Sequence, residues 1–386
     1  MGAPKPEMLD ILAELLEDEG FRRVGDPLPG EAPDGIGHPG GRGAPGLWGP
    51  IGAGELAAWT RRLSPETGKR YGAGDAKGAV ACALAYEDTG DAVPEGRPRS
   101  ATVGRFARDH SYAELARRLA RVRDALRLRF GWPKSAVRVL VNSRAPEKPL
   151  AVLAGLGPVG RNSLVLVRDL GPGVVLGALL LPIDPVVEAG EREGSVGRPR
   201  PEAADFEPGA RCASCRACVD ACPTGAVLES GGIDPSRCVQ GAASSEAPVT
   251  PELAAAWSGV LYGCDRCLVA CPHFVRGAPG WQGRSAAAAG ASTVRGPGAR
   301  VSLDFLLRAD DRELEAAFRG TALGLGWMTA RLWRRNAALA ARSLGGADRP
   351  EGDPICANPA GRDAEPAGGG DSGATSGQAA SPPQGV

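Results

Sequence analysis

The chain has 386 residues, enough for about two or three domains, and its 45 Lys and Arg balance 45 Asp and Glu, so net charge draws it to neither nucleic acid nor a membrane surface. Its 56 Gly and 34 Pro concentrate in loops and in the tail, which makes the expected ordered body shorter than the chain. Met1 to Glu7 reads as neither a secretory signal nor a myristoylation site, and the longest apolar run, 174–183, is too short to span a bilayer, so a cytoplasmic protein with no membrane and no DNA partner is expected.

Residues 6–19 set Met8, Ile11, Leu12, Leu15 and Leu16 on one stripe, with Pro6 suited to a first turn and Gly20 to a C-terminal cap, and predict an amphipathic helix. Residues 25–54, dense in Gly and Pro, read as loop, and a short helix carrying Trp59 follows at 55–63. The apolar run 78–86 suits a buried strand, with Cys82 as a small core residue. From Tyr112 to Phe130, Leu115, Leu119, Val122 and Leu126 follow helical spacing. Arg117, Arg118, Arg121, Arg123, Arg127 and Arg129 fill much of the rest and read as a solvated face rather than a phosphate-binding surface. Strands are expected at 137–141, 163–167 and 174–181, the last two joined by a Gly- and Pro-rich turn. Between them Gly155, Gly157 and Gly160 follow no strand with an acidic residue placed for a ribose, so they do not read as a dinucleotide site. Their physical content is close backbone approach to a flat or bulky ligand.

After a polar linker at about 187–208, cysteines fall in two bursts, Cys212-x2-Cys215-x2-Cys218-x3-Cys222-Pro223 and Cys264-x2-Cys267-x3-Cys271-Pro272, with Cys238 between them. A cubane cluster needs four thiolates, and cysteines at i, i+3 and i+6 supply three corners from one tight loop. In such a run the cysteine before proline ligates the other cluster. Two 4Fe-4S clusters follow, one on Cys212, Cys215, Cys218 and Cys271, the other on Cys222, Cys238, Cys264 and Cys267. Structural zinc would use two separated Cys-x2-Cys knuckles, and disulfides lack a secretory context, so both are set aside. Helices are expected near 303–319 and 326–344. Residues 346–386, poor in apolar side chains, read as a disordered tail in which Cys356 is incidental. The expected architecture is α+β: a mixed-sheet domain over 1–204, a bacterial ferredoxin-like dicluster domain over 205–280, a helical segment over 281–345 and the tail.

Glu147 to Asn162, Glu-x2-Leu-Ala-x2-Ala-Gly-Leu-Gly-x2-Gly-Arg-Asn, followed by this order of cysteines, resembles the epoxyqueuosine reductases, with Arg161 where that family carries Lys. Arg237-Cys238, Gly263-Cys264-Asp265-x-Cys267 and Arg335-Asn336 continue the likeness, which covers roughly residues 6–345. The resemblance implies a cobalamin in the first domain near Gly155, Gly157, Gly160, Arg161 and Asn162, an external electron donor such as a ferredoxin or flavodoxin, and a tRNA whose epoxide-bearing base is reduced to an alkene. The sequence also departs from the family. Its proton-donating Asp falls on Val141 or Asn142, so Asn142 is the candidate catalytic position, as a hydrogen-bond donor at most. Pro158 replaces a Trp, and Ser111-Tyr112-Ala113 stands for Asp-Tyr-His. These departures imply a divergent member with changed substrate chemistry, or alternatively a ferredoxin-like electron-transfer protein without substrate chemistry of its own.

Overall fold

The computed structural model describes residues 6–24, 46–86, 99–186, 201–275 and 296–344. Most of the linker read at about 187–208, the tail with Cys356 and most of the Gly-rich loop read at 25–54 lie outside them, while residues 203–206 of the linker form a short helix. In chain order the first half comprises α1 (Pro6–Asp18), β1 (Phe21–Arg23), β2 (Gly46–Ile51), α2 (Ala53–Thr60), α3 (Pro65–Tyr71), β3 (Gly78–Ala85), β4 (Ser100–Val103), α4 (Arg105–Arg108), α5 (Ser111–Phe130), β5 (Arg138–Val141), α6 (Glu147–Leu153) and β6 (Val174–Leu181). The second half has short helices α7 (Ala203–Phe206), α8 (Ala217–Asp220), α9 (Val239–Ala243), α10 (Pro251–Ala255), α11 (Arg266–Val269) and α12 (Pro272–Val275), with β7 (Val260–Tyr262) between α10 and α11. It closes with β8 (Arg300–Ser302), α13 (Leu303–Arg308), α14 (Asp311–Phe318) and α15 (Ala330–Leu344).

Five strands form a mixed sheet in the order β1-β2-β3-β6-β5, parallel between β1 and β2 and antiparallel elsewhere. Strand side chains alternate between faces. In β3 this sends Ala79, Ala81 and Ala83 into the core under α2 and α6, and Val80, Cys82 and Leu84 into the core with Leu12 and Leu16 of α1 and Leu115, Leu119, Val122 and Leu126 of α5. A strand covered on both faces reads as continuous hydrophobicity, as the 78–86 run did, and Cys82 is core, its thiol pushed up by burial. On α5, Arg117 and Arg118 pair with Glu114, Arg121 with Glu19, and Arg123 and Arg127 with Asp124, but Arg118, expected on a solvated face, is buried and donates to Glu19 O at 2.8 Å.

A second sheet, β7-β4-β8, joins three distant stretches: β4 runs parallel to β7 and antiparallel to β8. Its core takes Ala101, Val103 and Ala107 together with Trp257, Leu261, Leu306, Leu314, Leu332, Trp333 and Ala337, so packing crosses the boundaries expected at 204 and 280. Arg335 and Asn336 pin α15 to this core. The fully buried Asn336 amide donates to Ala243 O at 2.8 Å and Leu261 O at 2.9 Å, while Arg335 donates to the carbonyls of Ala242 and Ser245, both at 2.6 Å.

Several expectations are corrected. The stretch 25–54 was read wholly as loop, yet Gly46–Ile51 is an interior strand; its Gly and Pro hide the pattern, and Pro50 lies beyond the three residues that β1 pairs. The strand expected at 163–167 reduces to isolated bridges, Val159 to Val165 and Val167 to Gly171, because Ser163 and Asp169 take left-handed backbone conformations that fold the segment on itself. The helix expected over 303–319 is two. Asp310 accepts from Glu313 N at 2.8 Å while the Glu313 carboxylate accepts from Asp310 N at 2.8 Å, a reciprocal cap that starts α14 afresh. Both α3 and β4 went unread.

Candidate iron-sulfur centre

The fold sorts eight sulfurs into two sets. Cys218 has Cys212, Cys271 and Cys215 as charged neighbours, and Cys271 has Cys212 and Cys215. Cys267 has Cys264, Cys238 and Cys222, and Cys264 has Cys238. Cys218 of the first set is also a charged neighbour of Cys267 in the second. Cys222, Cys238, Cys264 and Cys267 line a small cavity with Ala226, Val227, Ile233 and Val239. Burial and then sulfur-sulfur repulsion push the thiols of Cys218, Cys264, Cys267 and Cys271 up, a cost that iron coordination relieves.

Backbone amides point at the sulfurs as an iron-sulfur site requires. Arg161 N donates to Cys212 Sγ at 3.3 Å and Ala226 N to Cys222 Sγ at 3.2 Å, with Thr224 Oγ1 3.4 Å from the latter. Burial raises Cys222, but these hydrogen bonds outweigh it and its thiol is lowered. Among the described residues no group of three or more His, Cys, Asp or Glu side chains stands at the spacing for a single metal ion. Donor type, grouping and amide hydrogen bonds therefore fit two cubanes.

The segment Gly155 to Asn162 meets this centre directly. Gly155, in a left-handed conformation (φ 72°), ends α6. A Cβ on Gly157 would lie 2.0 Å from Leu166 O, and one on Gly160 would lie 3.1 Å from Asn162 Oδ1. At Gly157 the close approach is made by the chain's own backbone, and at Gly160 by the Asn162 and Leu166 side chains with Leu164 O. Arg161 and Asn162 turn to the cysteine loops: the Arg161 guanidinium donates to Ala213 O at 3.0 Å and to Glu229 O, and the buried Asn162 amide donates to Cys267 O at 3.0 Å. One residue grips the 212 loop and the next the 267 loop.

Asn142 stands at the end of β5, half-buried and left-handed (φ 48°). Ser143 N then donates to Glu147 Oε1 at 2.7 Å, turning the chain into α6, and Val141 packs toward the core, so neither Val141 nor Asn142 supplies a carboxyl group and the one at this strand end is that of Glu147. Other groups collect beside Cys267 instead. Lys148, its ammonium pressed down by burial, has Glu147 and Cys267 as charged neighbours. Tyr86 is raised by burial, with Asp265, Tyr112, Arg105 and Cys267 around it; Tyr112 faces Tyr262 and Glu147, and burial raises Glu147. Sequence reasoning gave none of these a place in the site. They converge from β3, α4, α5 and α6, and no local spacing announces it.

These features fit a ferredoxin-type iron-sulfur domain, and residues 211–273 match the family described as a 4Fe-4S double cluster binding domain. The wider chain is similar to epoxyqueuosine reductases. It is 34% identical over 180 residues to that of Vibrio cholerae (45% of this chain, 43% of the relative), and 33% identical over 237 residues to that of Burkholderia pseudomallei (58% and 54%). The chain spans about half the length of the curated relatives it matches. Its fold follows that of the Streptococcus thermophilus epoxyqueuosine reductase (TM-score 0.56, 21% identity, 77% of each chain). It also follows an epoxyqueuosine reductase solved with an epoxyqueuosine-modified tRNA-Tyr stem loop (TM-score 0.52, 24% identity, 70% of this chain and 65% of that one). The resemblance read from the sequence holds in both sequence and fold. No helix among the described residues is long and apolar enough to cross a membrane.

Proposed function

We propose that this chain is an iron-sulfur reductase with two 4Fe-4S clusters, acting on epoxyqueuosine in tRNA or on a related substrate and fed by an external donor of the ferredoxin or flavodoxin kind. The observation that carries the reading is the sorting of eight sulfurs into the sets Cys212, Cys215, Cys218, Cys271 and Cys222, Cys238, Cys264, Cys267, inside a fold shared with epoxyqueuosine reductases. Bound there, each cluster supplies one-electron transfer. Reduction of an epoxide to an alkene takes two electrons and two protons and releases water. The chain contributes the thiolates, the amides that support them, and half-buried polar ground beside Cys267 formed by Lys148, Glu147, Tyr86 and Tyr112. Cobalamin, which the resemblance implies, would lie in the first domain, and titration of the cofactor into the protein, followed by absorbance, reads its binding.

The test is conversion of epoxyqueuosine-tRNA by cluster-loaded protein with cobalamin and a strong reductant, followed by nucleoside mass spectrometry. A positioned general acid contributes about 10²- to 10⁴-fold. With none at Val141 or Asn142, turnover is expected about 100-fold or more below that of relatives carrying the Asp, and Asn142→Asp raises it. Family-like turnover by the unaltered chain sinks the idea of changed chemistry. No turnover of this or other epoxides, with both clusters reducible, leaves the electron-transfer reading, which the missing acid at Val141 and Asn142 favours.

A further inference from the structure

Two buried guanidinium groups of the first domain reach into the second cysteine motif. Gly104 N donates to Tyr262 O at 2.7 Å, and the backbones of Gly104 and Gly263 lie so close that a Cβ on either would meet the other's Cα, at 2.8 and 2.6 Å. This docking sets α4 against Asp265, the residue after Cys264. Asp265 Oδ2 accepts from Arg105 N at 2.8 Å and lies 4.0 Å from both Arg105 Nε and Arg108 Nη2. The Arg105 and Arg108 side chains are 8% and 4% exposed and that of Asp265 18%, so water screens these charges little. Arg105 also lies over the Phe274 ring at 5.6 Å, and Arg108 Nε donates to Val103 O at 2.9 Å, which fixes both guanidiniums.

Arginine stays charged at all working pH, and a cluster's potential responds to the charge, hydrogen bonds and solvent around its sulfurs. We propose that Arg105, Arg108 and Asp265 form an electrostatic set that fixes the reduction potential of the cluster on Cys222, Cys238, Cys264 and Cys267, the two cations raising it and the carboxylate lowering it. The charges of the set bear on the 264–267 loop through Asp265, whereas the first domain meets the 212 loop through the Arg161 backbone amide on Cys212 Sγ, so the set itself acts mainly on the cluster of Cys264 and Cys267. The inference rests on the two-cluster reading above.

The experiment is an EPR-monitored redox titration of the anaerobically purified full chain, with iron determined in parallel. Absence of two reducible clusters in the unaltered chain defeats the functional reading itself. With both present, Arg108→Gln is expected to disfavour reduction of one cluster about tenfold, or about 59 mV for one electron, and Asp265→Asn to favour reduction of the same cluster by a similar factor. Arg105→Lys, which keeps the charge, leaves that potential within about threefold. Opposite signs confined to one cluster are the signature, since a packing role moves both variants the same way. Equal shifts in both clusters, shifts of one sign, or no shift overturn the inference. Should Arg108→Gln lose iron, Arg105→Gln and Asp265→Asn carry the same sign test, and loss of the second cluster from all three counts against an electrostatic role.

Discussion

His110 caps the start of α5 in a left-handed conformation (φ 49°), is 8% exposed, and its Nδ1 has no hydrogen-bond partner among the described residues. Burial alone holds its pKa below the ordinary 6.5, so the native state keeps a neutral imidazole where the unfolded chain takes up a proton. A depressed folded pKa contributes stability that is present above the unfolded value and is lost as pH falls through the folded one. The thermal midpoint of the unaltered protein is therefore expected to fall more steeply between about pH 7 and about pH 5.5 than that of His110→Asn, which tolerates the left-handed backbone and takes up no proton. Neighbouring Asp109, its carboxyl raised by burial, is common to both proteins and cancels in the difference. Parallel slopes would remove His110 from the acid response. Only structure supplies this role: in sequence His110 is one of three histidines, with nothing to mark it as buried.

At the scale of elements, α4 is positioned by a contact between two glycines. Gly263 takes φ 84°, where an alanine costs roughly 1–2 kcal/mol, and its Cβ would press into Gly104 at 2.6–2.8 Å, adding about 1–3 kcal/mol of overpacking. Cys264 follows directly, so Gly263→Ala is expected to lower iron from about eight per chain toward about four while the 212–218 loop keeps its share. Full loading would mean that the docking of α4 does not shape the second site. Elements with a local signal were legible. The apolar stripes of α1 and α5 and the two-sided run of β3 are written in consecutive residues. The second sheet was not, because β4, β7 and β8 pair across some 160 and 200 residues of chain, and four-residue α4 is too short for any periodicity. The strand expected at 163–167 failed for the converse reason: branched side chains gave it the composition of a strand, but the left-handed turn at Ser163 overrides that preference.

Across the whole molecule the two cysteine sets differ in what covers them. The candidate ligands can be read from the sequence because bacterial dicluster spacing is local, and the expected exchange of Cys222 and Cys271 between sets follows the same rule. The protein around them was not legible, since Lys148, Tyr86, Arg105 and Asn162 reach Cys267 or its loop from four separate elements and loops of the first domain. On the other side, Arg211, Ala213, Ser214, Cys215 and Arg216 are all exposed, and Arg216 pairs with Glu229 and Asp220 on open surface, where such pairs hold little. Among the eight cysteines only Cys215 is exposed, so a soluble oxidant or chelator is expected to meet the first set first, whereas the first domain packs against the 264–267 side of the second. Iron release under aerobic chelation is expected in two phases of about four irons each, the earlier one abolishing the EPR signal that is insensitive to Arg108→Gln. Release in a single phase, or earlier loss of the Arg108-sensitive signal, would show that the first domain does not shield the cluster it touches.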